Sequence, residues 1–195
     1  MTGGASKLTD GFAQMEVRDA HWNGPQDFNA NLNIHHGGAE VGGLALQNAH
    51  ADVAITPESV LWTNVDAETL GGRLHTNGTE PDGTKVLGFF RLDFDPNAPL
   101  TTEYFVSGLQ LERMRDELGL GGPLAGVVDG YVNVALPSTS PTFAKGRGWF
   151  HINGGALGTV PVLKSIWRFA GISPPLFDEG DLRFRLNGQG RIYIE

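Results

Sequence analysis

The sequence predicts a mainly β protein built on an antiparallel sheet, with two short α-helices. Three observations predict this fold: apolar and polar residues alternate along much of the chain, turn residues separate the alternating runs, and glycine supplies 28 of the 195 residues. Alternation with a period of two is typical of strands that bury one face. Short turns join neighbouring strands antiparallel, and excess glycine suits tight turns and bulges.

Strict alternation is clearest in four runs, over residues 28–34, 86–94, 128–136 and 182–186. In the first of them, apolar positions alternate with asparagine, so one face of the strand is apolar and the other is rich in amides. Further strands are predicted over residues 12–20, 41–46, 49–55, 60–65, 73–77, 102–107, 143–152 and 191–194. Turn sequences such as Asn77-Gly78 and Pro96-Asn97 separate them.

Two segments change to a helical period. Residues 109–118 carry an apolar stripe, and Gly119 follows at the position that commonly ends a helix. Residues 160–170 begin beside Thr159, a capping residue, and Pro161, which suits a first turn. The wide apolar arc of this second helix predicts that it plugs the end of a sheet or lies on a hydrophobic groove; its apolar residues are Val162, Leu163, Ile166, Trp167 and Phe169.

No linker or shift of composition divides the chain. We therefore predict a disordered or tag-like N-terminus over residues 1–10 and a single continuous β-rich unit over residues 11–195. A weak internal repeat is predicted between residues 49–80 and 130–160. The sequence DVAI at 52–55 resembles NVAL at 133–136, and a Gly-Gly-x-Leu segment follows each of them, at 71–74 and 154–157.

Composition excludes several classes of function. The net charge of −8 disfavours nucleic acid or anionic lipid headgroups as a bulk electrostatic partner, and the basic residues are scattered apart from Arg183, Arg185 and Arg191. The chain has no cysteine, which excludes disulfides and thiolate zinc sites. It has no run of about 18 apolar residues that could span a bilayer, and residues 1–10 lack the apolar region of a signal peptide.

Candidate catalytic and metal-ligating residues are few. His35 and His36 are adjacent, so a regular strand would point their rings to opposite faces. Asp93 and Asp95 share a face, but the turn residue Pro96 follows them, so we expect them to solvate a strand end. A metal-dependent hydrolase that uses His35 or His36 with Asp93 is the least favoured interpretation. The sequence predicts no enzyme, no cofactor and no metal.

The remaining candidate is the apolar face of the predicted sheet. An apolar face can be the core of an ordinary β-sandwich, or it can be a surface left open for a ligand. The residues predicted to line it are Phe28, Leu32, Ile34, Val53, Ile55, Phe90, Leu92, Phe94, Val132, Val134, Phe184 and Leu186.

Five segments of the chain resemble, in order, the AsmA-like family of bacterial envelope proteins, which includes TamB-like relatives. They are residues 49–60 (AHADVAITPESV), 70–74 (LGGRL), 108–114 (GLQLERM), 122–131 (GPLAGVVDGY) and 146–163 (GRGWFHINGGALGTVPVL). The last is similar to the C-terminal signature of the family, in which a glycine-rich strand precedes a Pro-apolar-Leu segment. The resemblance covers roughly residues 49–195, whereas the first 48 residues resemble only generic strands of the family.

The resemblance implies an elongated, curved antiparallel sheet that forms an open trough or half-barrel with an apolar interior. It implies a non-enzymatic fragment of a periplasmic protein, anchored in the inner membrane through another part of the parent chain. Such a protein would conduct phospholipids between the inner and outer membranes and support outer-membrane integrity. Expected partners are phospholipid acyl chains, the rest of the parent chain and other envelope proteins. The alternative is a compact β-sandwich module that binds glycans or a protein.

Overall fold

The computed structural model of the protein describes residues 14–36, 38–41, 44–119, 124–137, 143–156 and 176–194. These residues form fourteen strands and one helix. In chain order they are β1 (Gln14–Trp22), β2 (Phe28–His36), β3 (Ala39–Val41), β4 (Leu44–Ile55), β5 (Ser59–Thr69), β6 (Gly72–His75), β7 (Asn77–Thr79), β8 (Lys85–Leu87), β9 (Phe89–Asp93), β10 (Leu100–Gln110), α1 (Leu111–Leu118), β11 (Ala125–Leu136), β12 (Lys145–Ala156), β13 (Leu176–Asn187) and β14 (Ile192–Ile194).

Twelve of the strands form one sheet, and every pairing in it is antiparallel. The spatial order is β1-β2-β4-β5-β6-β10-β11-β12-β13-β14, with β3 paired to β4. Strand order therefore follows chain order closely, as short turns require. The structure confirms the prediction of a mainly β protein with an antiparallel sheet.

One strand position in the sheet is filled by two separate pieces of chain. Strands β6 and β9 both lie between β5 and β10, with β6 pairing at one end of these strands and β9 at the other. Between them the chain leaves the sheet and forms the β7–β8 hairpin. The Gly88 N–H donates to the Thr76 carbonyl at 2.7 Å, which closes this insertion at its base. Thr76 is fully buried there.

The insertion corrects one predicted strand. Residues 86–94 alternate without interruption, but the structure divides them between β8 and β9, and Phe94 lies beyond the end of β9. The division occurs at Gly88, where a Cβ atom would overlap the carbonyl oxygen of Glu103. Only glycine permits that close approach, and the alternation of residues cannot reveal it.

Helix α1 follows β10 directly and begins two residues later than predicted. Leu109 and Gln110 still pair with β11, so the helix starts at Leu111. Gly119 ends the helix in the left-handed conformation, with φ of 64°, and its N–H donates to the Arg115 carbonyl. The predicted second helix over residues 160–170 lies outside the described residues, as do residues 1–10.

Each of the other predicted strands overlaps a strand of the structure, and most of them are shorter than the strand that they overlap. Segments 41–46 and 49–55 belong largely to the single strand β4, and segments 60–65 and 102–107 are the middles of the longer strands β5 and β10. Segment 73–77 is divided between β6 and β7. In the part of the chain that the structure describes, no helix is long and apolar enough to cross a membrane.

Candidate functional site

One face of the large sheet, called here the apolar face, carries a row of side chains that crosses ten strands. Each member of the row is the direct cross-strand partner of the next. The row consists of Val17, Leu32, Val53, Trp62, Phe90, Thr102, Val134, Gly146, Leu186 and Ile192. Thr102 is its only polar member, so the face is apolar from β1 to β14.

The structure places eleven of the twelve predicted lining residues on this apolar face. Five of them belong to the row, and the others lie beside it on the same strands: Phe28, Ile34, Ile55, Leu92, Val132 and Phe184. Phe94 is the exception, because it follows β9 in a bend and is half exposed. The period-two alternation thus identified the residues that share this face.

Glycines interrupt the apolar face on β11 and β12, and aromatic rings from neighbouring strands lie over them. Gly130 is the partner of Phe150, and Gly148 is the partner of Phe184. A Cβ atom at either glycine would collide with the ring opposite. The two rings stack with their centroids 5.7 Å apart. The face therefore stays apolar across the glycines, because the rings cover the bare backbone.

Two parts of the apolar face are covered by the chain itself. Near α1, buried leucines from β10, α1 and the following segment pack with Val106, Val128 and Ile152 in one cluster. Near the β11–β12 connection, Ala144 packs on Val132 and Val134. Burial in these two places stabilises the sheet, at roughly 25 cal/mol per Å² of apolar surface removed from water.

Other parts of the apolar face are exposed among the described residues. On β1, Val17 and Trp22 have 61% and 71% of their surface exposed, and Leu92 on β9 has 43%. On β14, Ile192 and Ile194 are exposed by 55% and 44%. The predicted covering or plugging residues Val162, Leu163, Ile166, Trp167 and Phe169 lie outside the described residues.

The other face of the sheet, called here the polar face, is held by hydrogen bonds. Tyr131 donates from its hydroxyl to the Glu103 carboxylate, and the Asn133 amide donates to the same carboxylate at 2.9 Å. Asp52 accepts from the amides of Asn33 and Asn64, at 2.6 Å each. These two amide donors are the main reason that the pKa of Asp52 lies below its ordinary value.

The histidines and aspartates considered as catalytic or metal-ligating residues lie apart. His35 contacts Glu16 at 3.3 Å on neighbouring strands. Asp93 accepts from Arg91 at 2.9 Å, and Asp95 holds the following turn by accepting from the Asn97 N–H. In the described segments, no group of three or more histidine, aspartate or glutamate residues is arranged to hold a metal ion.

A cleft on the polar face was not predicted from the sequence. It has a volume of about 390 Å³ and lies between the turn of the β7–β8 hairpin and strands β12 and β13. Its charged lining residues are Glu80, Asp82, Arg147, Arg183 and Arg185, and its aromatic lining residues are Tyr131, Trp149 and Phe184. The alternation of Arg183 and Arg185 on one strand was a visible signal, but their proximity to Arg147 depends on the strand register.

Comparisons of the chain with protein-family models, with curated proteins and with solved structures find no match.

Proposed function

We propose that this chain is a non-enzymatic, lipid-conducting segment whose apolar face holds phospholipid acyl chains. The observation that carries the proposal is the apolar row across ten strands, parts of which are exposed in the described residues. The exposed apolar residues lie on β1, β9 and β14, toward both edges of the sheet. Exposed apolar patches favour a binding role, because isolated proteins rarely leave large ones in water.

Acyl chains are the ligand class that such a surface suits best. Their methylene groups form no directional interactions, and the burial of each methylene group is favourable by about 0.8 kcal/mol. A path of aliphatic and aromatic side chains that crosses successive strands lets a chain move along it without breaking hydrogen bonds. The face therefore suits conduction as well as storage.

The proposed shape is an open, curved trough with the apolar face inside. Its support is the size of the sheet, since twisted sheets of more than about ten strands tend to curl. The proposed setting is the periplasm of a double-membraned bacterium, where the parent protein would carry phospholipids between the two membranes and support outer-membrane integrity. That setting rests on the motif resemblance to AsmA-like proteins.

The alternative of a compact β-sandwich requires a second sheet over the apolar face. Within the described residues, the second sheet is the two-stranded β7–β8 hairpin. That hairpin packs on the polar face, where Gly78 lies against the ring of Phe105. The arrangement of the described strands thus favours the trough over the sandwich.

A photo-crosslinking experiment tests the proposal. A benzophenone amino acid is placed at Leu92 or Ile192, both exposed on the apolar face, and the purified chain is irradiated with phosphatidylethanolamine and phosphatidylglycerol vesicles. We expect lipid adducts at both positions by mass spectrometry. The matched control is Val127, which is 40% exposed on the polar face of β11.

Adducts at Val127 that equal those at Leu92 and Ile192 would contradict the proposal, because they would show that lipid capture follows exposure alone. Absence of adducts at both apolar positions would contradict it as well. A vesicle-to-vesicle transfer assay with a fluorescent phospholipid then separates conduction from static binding, and we expect Leu92→Asp to slow transfer.

A further inference from the structure

We propose that the polar-face cleft between the β7–β8 turn and strands β12 and β13 binds a phosphate-class anion. The proposal stands independently of acyl-chain binding, because the cleft lies on the polar face and the acyl path on the apolar face. The proposal rests on three features. The cleft has more arginines than carboxylates, and aromatic rings stack on two of the guanidinium groups. The third feature is the buried indole N–H of Trp149, which has no acceptor among the described residues.

The strand register forces three arginines together. Arg147 on β12 and Arg185 on β13 are direct cross-strand partners, and Arg183 lies two residues from Arg185 on the same face. Like charges placed directly opposite one another destabilise a sheet. An anion bound between them would remove that repulsion.

The carboxylates of the cleft neutralise only part of this charge. Glu80 pairs with Arg147 at 3.0 Å, and the Asp82 carboxylate accepts from the Thr84 N–H in its own turn. Among the described residues, Arg183 and Arg185 have no carboxylate within ion-pair distance. The cleft therefore holds three positive and two negative groups in a protein whose net charge is −8.

Aromatic rings hold two of the arginines in place. The guanidinium carbon of Arg147 lies 5.8 Å from the ring centroid of Tyr131, and that of Arg185 lies 5.4 Å from the ring centroid of Tyr193. Stacking of this kind lowers the entropy that an arginine loses when it binds a ligand. The guanidinium groups are thus pre-arranged for an anion.

Trp149 supplies the third feature. It is the cross-strand partner of Arg183 and lies in the wall of the cleft. Its indole N–H is buried and has no hydrogen-bond partner among the described residues. A buried donor without an acceptor costs free energy, so a ligand oxygen that reached this N–H through a movement of the side chain would be stabilising.

These features together favour phosphate over a simple halide. Guanidinium groups donate pairs of parallel hydrogen bonds that match the oxygens of a phosphate, and its charge and oxygen count can engage more than one arginine. A cleft of about 390 Å³ has room for a phosphate with a small substituent. Two sources share this chemistry: free phosphate and the headgroup of a phospholipid.

Nuclear magnetic resonance of the full chain tests the proposal. The indole N–H signal of Trp149, assigned by its loss in Trp149→Phe, is followed while inorganic phosphate replaces chloride at constant ionic strength. We expect a saturable shift with a Kd of about 1 mM or tighter. In Arg183→Gln and Arg185→Gln, the Kd should rise about tenfold, because each variant loses a charge-assisted pair of hydrogen bonds.

The matched control is Arg113→Gln, which removes the same charge from the exposed surface of α1; it should leave the Kd unchanged. Arg183→Lys keeps the charge, and its Kd should fall between those of the wild type and Arg183→Gln. Far-ultraviolet circular dichroism verifies that every variant is folded. A shift that does not saturate, or an equal Kd in Arg183→Gln and Arg113→Gln, would overturn the proposal.

A second titration separates the two sources of phosphate. Dihexanoyl phosphatidic acid, kept below its micelle concentration, replaces inorganic phosphate. A Kd at least tenfold tighter than that of inorganic phosphate, and still weakened in Arg183→Gln, would assign the cleft to a lipid headgroup. An equal Kd would assign it to free phosphate. A lipid Kd that is the same in Arg183→Gln and the wild type would overturn the proposal.

Discussion

Tyr131 connects three strands of the polar face at a single buried position. Only 1% of its surface is exposed, its hydroxyl donates to Glu103 on β10, and Arg147 from β12 lies over its ring. Burial is the main cause of the raised pKa of the Tyr131 hydroxyl, so the phenol stays neutral and remains a donor. One residue therefore links the core of the sheet to the rim of the cleft.

The contacts of His151 predict how its pKa couples to the stability of the fold. Its Nδ1 lies 2.8 Å from the Asp181 carboxylate and its Nε2 lies 3.4 Å from Glu179. The hydrogen bond to Asp181 is the largest cause of a pKa above the ordinary value of about 6.5. Because the folded-state pKa is raised, the contribution of this group to stability is complete below about pH 6.5 and is lost as the pH rises through the folded-state pKa.

An NMR titration of the His151 ring protons measures this pKa directly. We expect Asp181→Asn to lower the pKa of His151 toward 6.5, whereas Asp19→Asn, a change of the same charge on β1, should leave it unchanged. A His151 pKa that is the same in wild type and Asp181→Asn would show that the carboxylate contact does not form in solution.

Residue chemistry alone could not identify the polar-face cleft. Arg147 and Arg183 are far apart in the chain, and only the antiparallel register of β12 and β13 makes them neighbours. The sequence showed which side chains alternate within a strand, because that depends on local geometry. It did not show which strands pair or in what register, and a binding cleft depends on both.

At the scale of the element, the alternation of apolar and polar residues predicted where strands lie but not where a strand is interrupted. Residues 128–136 were predicted as one strand and form most of β11, since their partners lie on both sides along its length. Residues 86–94 alternate equally well but divide at Gly88, because the hydrogen bond that closes the hairpin insertion joins Gly88 to the distant Thr76. Such a contact leaves no periodic signal.

Gly148 gives a prediction for β12. A Cβ atom there would overlap the carbonyl oxygen of Tyr131 and the ring of Phe184, both on neighbouring strands. We expect Gly148→Ala to lower the free energy of unfolding by about 1–3 kcal/mol, since overpacking forces either the backbone or the ring to move. Urea unfolding followed by circular dichroism measures the change.

Gly38→Ala is the matched control, because a Cβ atom at Gly38 would meet only the Leu46 carbonyl oxygen at an ordinary 3.5 Å. Its effect should stay within about 0.5 kcal/mol. Equal effects of the two substitutions would contradict the close approach of both the Tyr131 carbonyl oxygen and the Phe184 ring to Gly148.

At the scale of the whole molecule, burial is concentrated in the middle strands of the sheet. Strand β11 pairs on both sides and contributes Val128, Tyr131, Val132 and Val134 to the buried residues. Strand β1 pairs only with β2, and its described side chains are exposed. One sheet thus combines a stable centre with an edge that few contacts hold.

This gradient predicts unequal protection from amide hydrogen exchange. Opening β1 breaks one strand interface and uncovers little apolar surface, whereas opening β11 breaks two interfaces and exposes the core, so β1 should open at a lower free energy. We expect peptides from residues 14–22 to exchange at least about tenfold faster than peptides from residues 125–136 in a mass-spectrometric measurement.

Acyl chains on the apolar face would cover Val17 and Trp22, so short-chain phospholipid should slow exchange in β1 more than in the β7–β8 hairpin. Equal slowing in both would indicate general stabilisation of the fold, and no slowing in β1 would place the lipid path away from this edge.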